Sequence, residues 1–227
     1  MKKFFNLAVL AVLGVAIFLF SDKGIAAMKS VSEDKPTIVI DVGHGGADPG
    51  KVGVNGALEK DVNLNIALYL KELLVQNDIE VILTRDTDEG LYTDEDRNKK
   101  TADLRQRVDI INAENVEFAV SIHQNSYISD GVRGAQVFYY KNSDEGKIFA
   151  DIMQNSLKET LQDGNNRVPK ADSSYYLLKK SDCPLIIVEC GFLSDSKEAE
   201  LLIQEEYQRK LAWAIHLGIT EYMKQKE

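Results

Sequence analysis

The sequence predicts an α/β protein: a mainly parallel, twisted sheet with helices on both faces, within a single domain. Three observations predict it. Short β-branched or wholly apolar runs recur at residues 37–41 (TIVID), 80–84 (EVILT), 118–122 (FAVSI) and 185–188 (LIIV), and such runs read as buried strands. Between them, apolar residues return at helical spacing. Strands that alternate with helices favour a parallel sheet joined by helical crossovers. The 227 residues, 44% of them hydrophobic, are enough for one core.

The elements follow in order. A polar linker, residues 28–36, ends at Pro36 and leads into the first strand. A glycine-rich loop, residues 43–56 (GHGGADPGKVGVNG), leads to a helix over 58–76 that carries Val62, Ile66, Leu70, Leu73 and Leu74 on one face. After the second strand comes a charged loop, residues 85–100, long enough to lie over a site. A helix over 101–113 turns Leu104, Val108 and Ile111 inward, and the third strand follows it. Residues 135–140 (AQVFYY) read as an edge strand. Ile148, Ile152 and Leu161 mark the inner face of a third helix that ends near Gly164. Residues 175–178 read as a short strand, and helical segments run from Asp195 to the end, the last with Leu211, Ile215 and Tyr222 inward. There is no internal repeat and no low-complexity tract.

The N-terminus is a separate object. Lys2 and Lys3 precede an apolar run, residues 4–20, and the small residues Gly24, Ala26 and Ala27 follow. Positive, then apolar, then small is the order of an export signal. Residues 1–27 are therefore expected to be a signal peptide or an N-terminal membrane anchor, with the rest of the chain exported and either secreted or held at the membrane by this segment alone. The formal net charge of −9 argues against nucleic-acid partners, which need basic surfaces. Cys183 and Cys190 bracket an extended run. Seven extended residues span roughly 23 Å, and a disulfide needs Cα atoms within about 7 Å, so both thiols are expected free and buried.

Open α/β sheets place ligands beyond the carboxyl ends of their strands. His44, His123 and Glu189 fall at or just after such ends, and Glu59 begins the first helix on the same rim. Two histidines and a carboxylate suit a catalytic zinc with an open fourth position, and a second carboxylate could then move protons. On that reading His44, Glu59 and His123 hold the metal and Glu189 is general base and acid. Each residue also has an ordinary use: a hydrogen-bonded histidine at a strand end, a glutamate at a helix start for the dipole, a glutamate paired with a core arginine. The residues alone leave both readings open. His216 sits among apolar residues of the last helix and reads as packing. The glycine loop lacks the GxxxxGK[ST] pattern of a phosphate cradle.

Six runs in this order, IVIDVGHGGADPGKVG, GALEKDVNLNIA, VILTRD, LRQRVDIINAE, VSIHQNS and VECGFLSDSKEAELL, resemble the zinc-dependent N-acetylmuramoyl-L-alanine amidases from residue 37 to about residue 222. The resemblance implies a catalytic domain over 37–227 and Zn2+ on His44, Glu59 and His123, with Glu189 as the base. It also implies hydrolysis of the amide between the lactyl group of N-acetylmuramic acid and L-alanine, on a peptidoglycan glycan strand with its stem peptide. Asn125, Arg133, Arg167 and Lys170 are candidates to meet that substrate, since arginine matches carboxylates bidentately. Arg85 and Arg107 match family positions and read as structural ion-pair partners. The sequence departs from the family at Val42, at Asp195 and at Gln124, where a small or apolar residue is usual and the pocket or the metal geometry is at stake. A compact form with an export signal is similar to the germination-specific amidases of spore formers, which implies a spore-cortex substrate. No wall-binding repeat is expected, so targeting would come from the tether or from an activating or targeting protein partner. A zinc peptidase of cell-wall peptides and a non-catalytic peptidoglycan-binding protein are the rival readings.

Overall fold

The computed structural model describes residues 35–226. The expected signal or anchor segment and most of the linker lie outside the described residues. Among the described residues, no helix is long and apolar enough to cross a membrane.

Among the described residues, six strands form one sheet: β1 (Thr37–Val42), β2 (Glu80–Leu83), β3 (Val116–Asn125), β4 (Gln136–Tyr140), β5 (Lys170–Asp172) and β6 (Leu185–Phe192), in the order β2-β1-β3-β6-β4-β5. The pairs β1–β2, β1–β3, β3–β6 and β4–β5 are parallel, and only β4 on β6 is antiparallel. Among the described residues, six helices cover it: α1 (Glu59–Val75), α2 (Lys99–Ile111), α3 (Asp144–Leu161), α4 (Tyr176–Lys180), α5 (Ser196–Leu202) and α6 (Glu205–Lys226).

Side chains alternate across a strand, and the core divides accordingly. Ile38, Ile40, Val120 and Val188 point to one face, where they meet Ile66 and Leu70 of α1, Phe149 and Met153 of α3, and Ile215 and Ile219 of α6. Val39, Ala119, Phe138 and Ile187 point to the other, against Ile111 of α2 and Leu177 and Leu178 of α4. Each fully buried aliphatic side chain contributes about 1.5–3 kcal/mol. Phe118, Phe149 and Tyr222 pack ring on ring, the last two stacked at 4.1 Å between centroids.

The structure corrects five expectations. Residues 175–178 do not form a strand: α4 begins at Tyr176 and buries Leu177 and Leu178. The inner face of α3 is Phe149, Met153 and Leu157, with Leu161, whereas Ile148 is 48% exposed. The strand at 136–140 is not at the edge, because the three-residue β5 pairs outside it. Among the described residues, Arg85 forms no ion pair. Its guanidinium donates to the carbonyls of Val42, Gly43, His44, Lys60 and Thr87. Arg107 does form ion pairs, with Asp41 and Asp103. Both cysteines are free, as expected, and Cys190 is buried, but Cys183, expected buried, is only half-buried. His216 is buried beside Trp213 in α6.

Candidate metal centre

The parallel strands β1, β3 and β6 end on one rim, and the chemistry collects there. His44 follows β1 by two residues, and His123 and Glu189 are register partners within β3 and β6. Glu59 opens α1, where Leu58 provides no side-chain cap. The glycine loop returns α1 to the rim: the backbone N–H of Lys51 donates to Glu59 Oε2 at 2.7 Å, and that of Gln124 to Oε1 at 3.0 Å. Gln124 also reaches Asn63 of α1 through Nε2 at 3.1 Å, so it ties β3 to the helix that carries Glu59.

His44 Nε2 lies 3.2 Å from Glu59 Oε1, and His123 Nδ1 lies 3.0 Å from the same oxygen. The three ligand atoms are all within 4.8 Å of one another. Tetrahedral zinc with bonds of about 2.0–2.1 Å would set its ligand atoms roughly 3.3 Å apart, so the two histidine–glutamate spacings fit such an ion. His44 Nδ1 meets Asp48 Oδ2 at 3.0 Å. A carboxylate on that nitrogen leaves Nε2 free to coordinate and orients the ring, as outer-shell carboxylates do for metal-bound histidines. Burial alone would raise the Glu59 pKa, but the hydrogen bonds and charges of His123 and His44 hold it well below the usual carboxylate range. His123 is shifted upward: burial opposes this, and the hydrogen bond and charge of Glu59 prevail.

The backbone is shaped for this convergence. His44 has φ 61°, a left-handed conformation that a side chain rarely adopts. A Cβ on Gly43 would stand 2.4 Å from His123 Cε1, and one on Gly50, at φ +66°, would stand 2.6 Å from both Glu59 Oε2 and His44 Cδ2. Beneath the rim, Arg107 donates to Asp41 Oδ1 at 2.7 Å and to the carbonyls of Val42 and His44, and Ser121 Oγ donates to Asp41 Oδ2. The 85–100 segment packs beside the glycine loop. Asp88 Oδ1 accepts from Gly46 N, and Tyr92 OH accepts from Ala47 N.

Glu189 is 6% exposed. Among the described residues its Oε2 has no hydrogen-bond partner, and Oε1 meets only the hydroxyl of Tyr175 at 3.4 Å. Burial is the main cause that pushes its carboxyl up to about 7. The charge of Glu59 adds to it, and His123 and His44 pull against it. A carboxyl with its pKa near neutrality can both take and return a proton.

These groups open into a cleft of about 470 Å³, lined also by Asn125, Lys51, Lys100 and Tyr175. Of the expected substrate contacts only Asn125 lines it. Arg133 and Arg167 border a neighbouring depression, and Lys170 lies on β5 with its ammonium over the Phe138 ring. Sequence reasoning missed Asp48 and Tyr175. Asp48 stands four residues after His44 in the glycine loop, a local signal that was there to read. Tyr175 stands 14 residues before Glu189 at the start of α4, where no local motif marks it.

The fold and this constellation define a candidate metal-dependent hydrolase. The chain belongs to the N-acetylmuramoyl-L-alanine amidase family (Amidase_3), whose model matches residues 38–221. It is 38% identical over 192 residues to the germination-specific N-acetylmuramoyl-L-alanine amidase of Bacillus subtilis, covering 83% of this chain and 80% of that one. Among solved structures, it is similar to the CwlD amidase of Clostridioides difficile, determined in complex with the GerS lipoprotein. That match has 41% identity and a TM-score of 0.81, and covers 84% of this chain and 100% of that one. The amidase AmiC2 of Nostoc punctiforme matches at 34% identity and a TM-score of 0.74, over 84% and 98% of the two chains.

Proposed function

We propose that this protein is a zinc-dependent peptidoglycan amidase in which His44, Glu59 and His123 hold the metal and Glu189 is general base, then general acid. The observation that carries the reading is Glu189: a buried carboxyl with, among the described residues, no cationic side chain hydrogen-bonded to it, paired in register with His123. A bound zinc would acidify water and polarise the amide carbonyl. Glu189 would accept a proton as water attacks the lactyl carbonyl and return it to the departing L-alanine amine. The second imidazole nitrogen of His44 stays on Asp48, so the ring keeps its orientation through the cycle. Glu189 is itself buried, so the proton it takes is shielded from bulk water until it passes to the leaving group.

The likeness to a germination-specific amidase supports spore-cortex peptidoglycan as the substrate and action outside the membrane. The N-terminal signal or anchor pattern agrees with both. The complex of CwlD with a lipoprotein supports a protein partner for this chain, one that activates it or delivers it to the wall.

The test is metal content and muropeptide hydrolysis by the purified protein, before and after chelation. The expected products are glycan strands freed of peptide and new L-alanine amino termini. Chelation should abolish both and zinc should restore them; cleavage that persists without metal would overturn the zinc reading. Glu189→Gln should keep zinc and lose turnover by about 10²- to 10⁴-fold. Normal cleavage by that variant would remove Glu189 as the base.

A further inference from the structure

The strand order sets the groups at the rim in a row. His44 follows β1, His123 lies on β3 and Glu189 on β6, which are neighbours in that order. β4 runs antiparallel to β6, so its first residue, Gln136, comes to the same rim as the register partner of Glu189. Paired residues of an antiparallel ladder project to the same face, and Gln136 therefore continues the row.

Arg167, three residues before β5, comes next. Its Nη1 donates to Gln136 Oε1 at 3.1 Å and its Nε to the Arg133 carbonyl at 3.0 Å. The guanidinium lies over the Phe192 ring at 4.7 Å, and Phe192 is the register partner of the cleft residue Asn125. Three contacts thus hold the planar group in place, and among the described residues its Nη2 makes no hydrogen bond to protein. It borders a depression of about 390 Å³. Asp163, on the same wall, already accepts from Asn165 N at 2.9 Å.

The chemistry gives the row a direction. This step rests on the amidase reading. Glu189 must reach the amine that leaves, and in the lactyl–alanine amide that amine belongs to the peptide. With the acyl carbon at His44, Glu59 and His123, the nitrogen and the chain beyond it lie on the Glu189 side. They then run toward Gln136 and away from β2. We propose that Arg167 forms the subsite for a carboxylate of the stem peptide, so the enzyme reads the acidity of the peptide it releases. A guanidinium already fixed by packing loses little freedom when it binds a carboxylate in fork geometry.

The test is steady-state hydrolysis of two muropeptides that differ only in whether the stem-peptide carboxylates are free or amidated. The wild-type chain should show the lower KM for the free acid. Arg167→Gln should raise that KM by about 10- to 100-fold, to the level of the amidated substrate, with kcat and zinc content unchanged. Arg167→Lys keeps the charge without the fork and should fall between the two. It also serves as the second reading if the glutamine variant is unstable. A wild-type protein indifferent to amidation, or an Arg167→Lys variant with the wild-type ratio of KM values, would overturn the subsite and leave the amidase reading intact. Failure to cleave either muropeptide would overturn the amidase reading itself.

Discussion

Arg107 Nη2 donates to the main-chain carbonyl of His44 at 2.7 Å, and Arg85 Nε reaches the same oxygen at 2.6 Å. Two buried guanidinium groups therefore grip the backbone of a histidine held at φ 61°. A left-handed non-glycine residue costs on the order of 1–3 kcal/mol and persists only where its surroundings over-determine it. The arginines and the glycines on either side supply that determination. Arg107→Met would leave Asp41 buried without its cation, so it should destabilise the domain by about 3–5 kcal/mol. Denaturant unfolding would read the loss, and metal titration should show His44 released with it. Unchanged zinc affinity in a folded variant would mean that the arginines brace the sheet and not the site.

Asp48 and Gly43 each fix one of the two imidazoles of the site, by different means. Asp48→Ala removes the hydrogen bond on His44 Nδ1, and loss of an outer-shell partner weakens metal binding about 10- to 100-fold. Gly43→Ala drives a methyl group into the His123 ring and should displace it, with an effect on zinc affinity at least as large. Competition with a chelating dye measures both, and circular dichroism should show the fold retained.

How far the sequence revealed this protein depended on whether a signal was local. β1, β3 and β6 were legible because strands buried on both faces are written as unbroken apolar runs. β5 was not: its Lys170–Asp172 is three residues long and polar, as an edge strand can be. Residues 175–178 were misread because four apolar residues carry no period that separates strand from helix. On α3, Ile148 and Ile152 compete with Phe149 and Met153 at the same spacing, and only packing selects the second pair. The zinc and base candidates could be named from strand ends plus family motifs. Their supports could not, since a buried arginine can be satisfied by carbonyls as well as by acids, as Arg85 is.

Tyr175 gives the Glu189 carboxyl its one hydrogen bond to protein among the described residues. The side chain is 36% exposed, its ring packs edge-on against Phe138 at 5.5 Å, and its pKa is raised, first by desolvation of the hydroxyl and then by the charge of Glu189. It therefore stays protonated and donates. Tyr175→Phe keeps the ring and removes the donor. At 3.4 Å the bond is long, so kcat for amide hydrolysis should fall by only about tenfold, with KM and zinc content unchanged. A larger fall in affinity than in kcat would place the hydroxyl on the substrate and not on Glu189.

Glu198, in the first turn of α5, couples stability to pH. Its carboxylate accepts from Phe192 N at 2.7 Å and from Gly134 N at 3.0 Å, which ties the end of β6 to the segment leading into β4. Burial pushes its pKa up to about 7 against those hydrogen bonds, with Asp163 and Asp195 adding to the rise. The unfolded chain titrates this group near its ordinary value of 4.5. Between these values the folded state holds the proton that the unfolded state has released, so rising pH favours unfolding. The protonated group's stabilisation is fully present below about 4.5 and is lost as pH climbs through about 7. Glu198→Gln removes the titration and costs a roughly constant 1–3 kcal/mol through its poorer fit to two N–H donors. Wild type should therefore exceed the variant most at acidic pH, and the gap should narrow toward pH 7. Denaturant unfolding of both proteins across that window measures it. A gap that stays constant would mean that Glu198 keeps an ordinary pKa, with its backbone donors offsetting the burial.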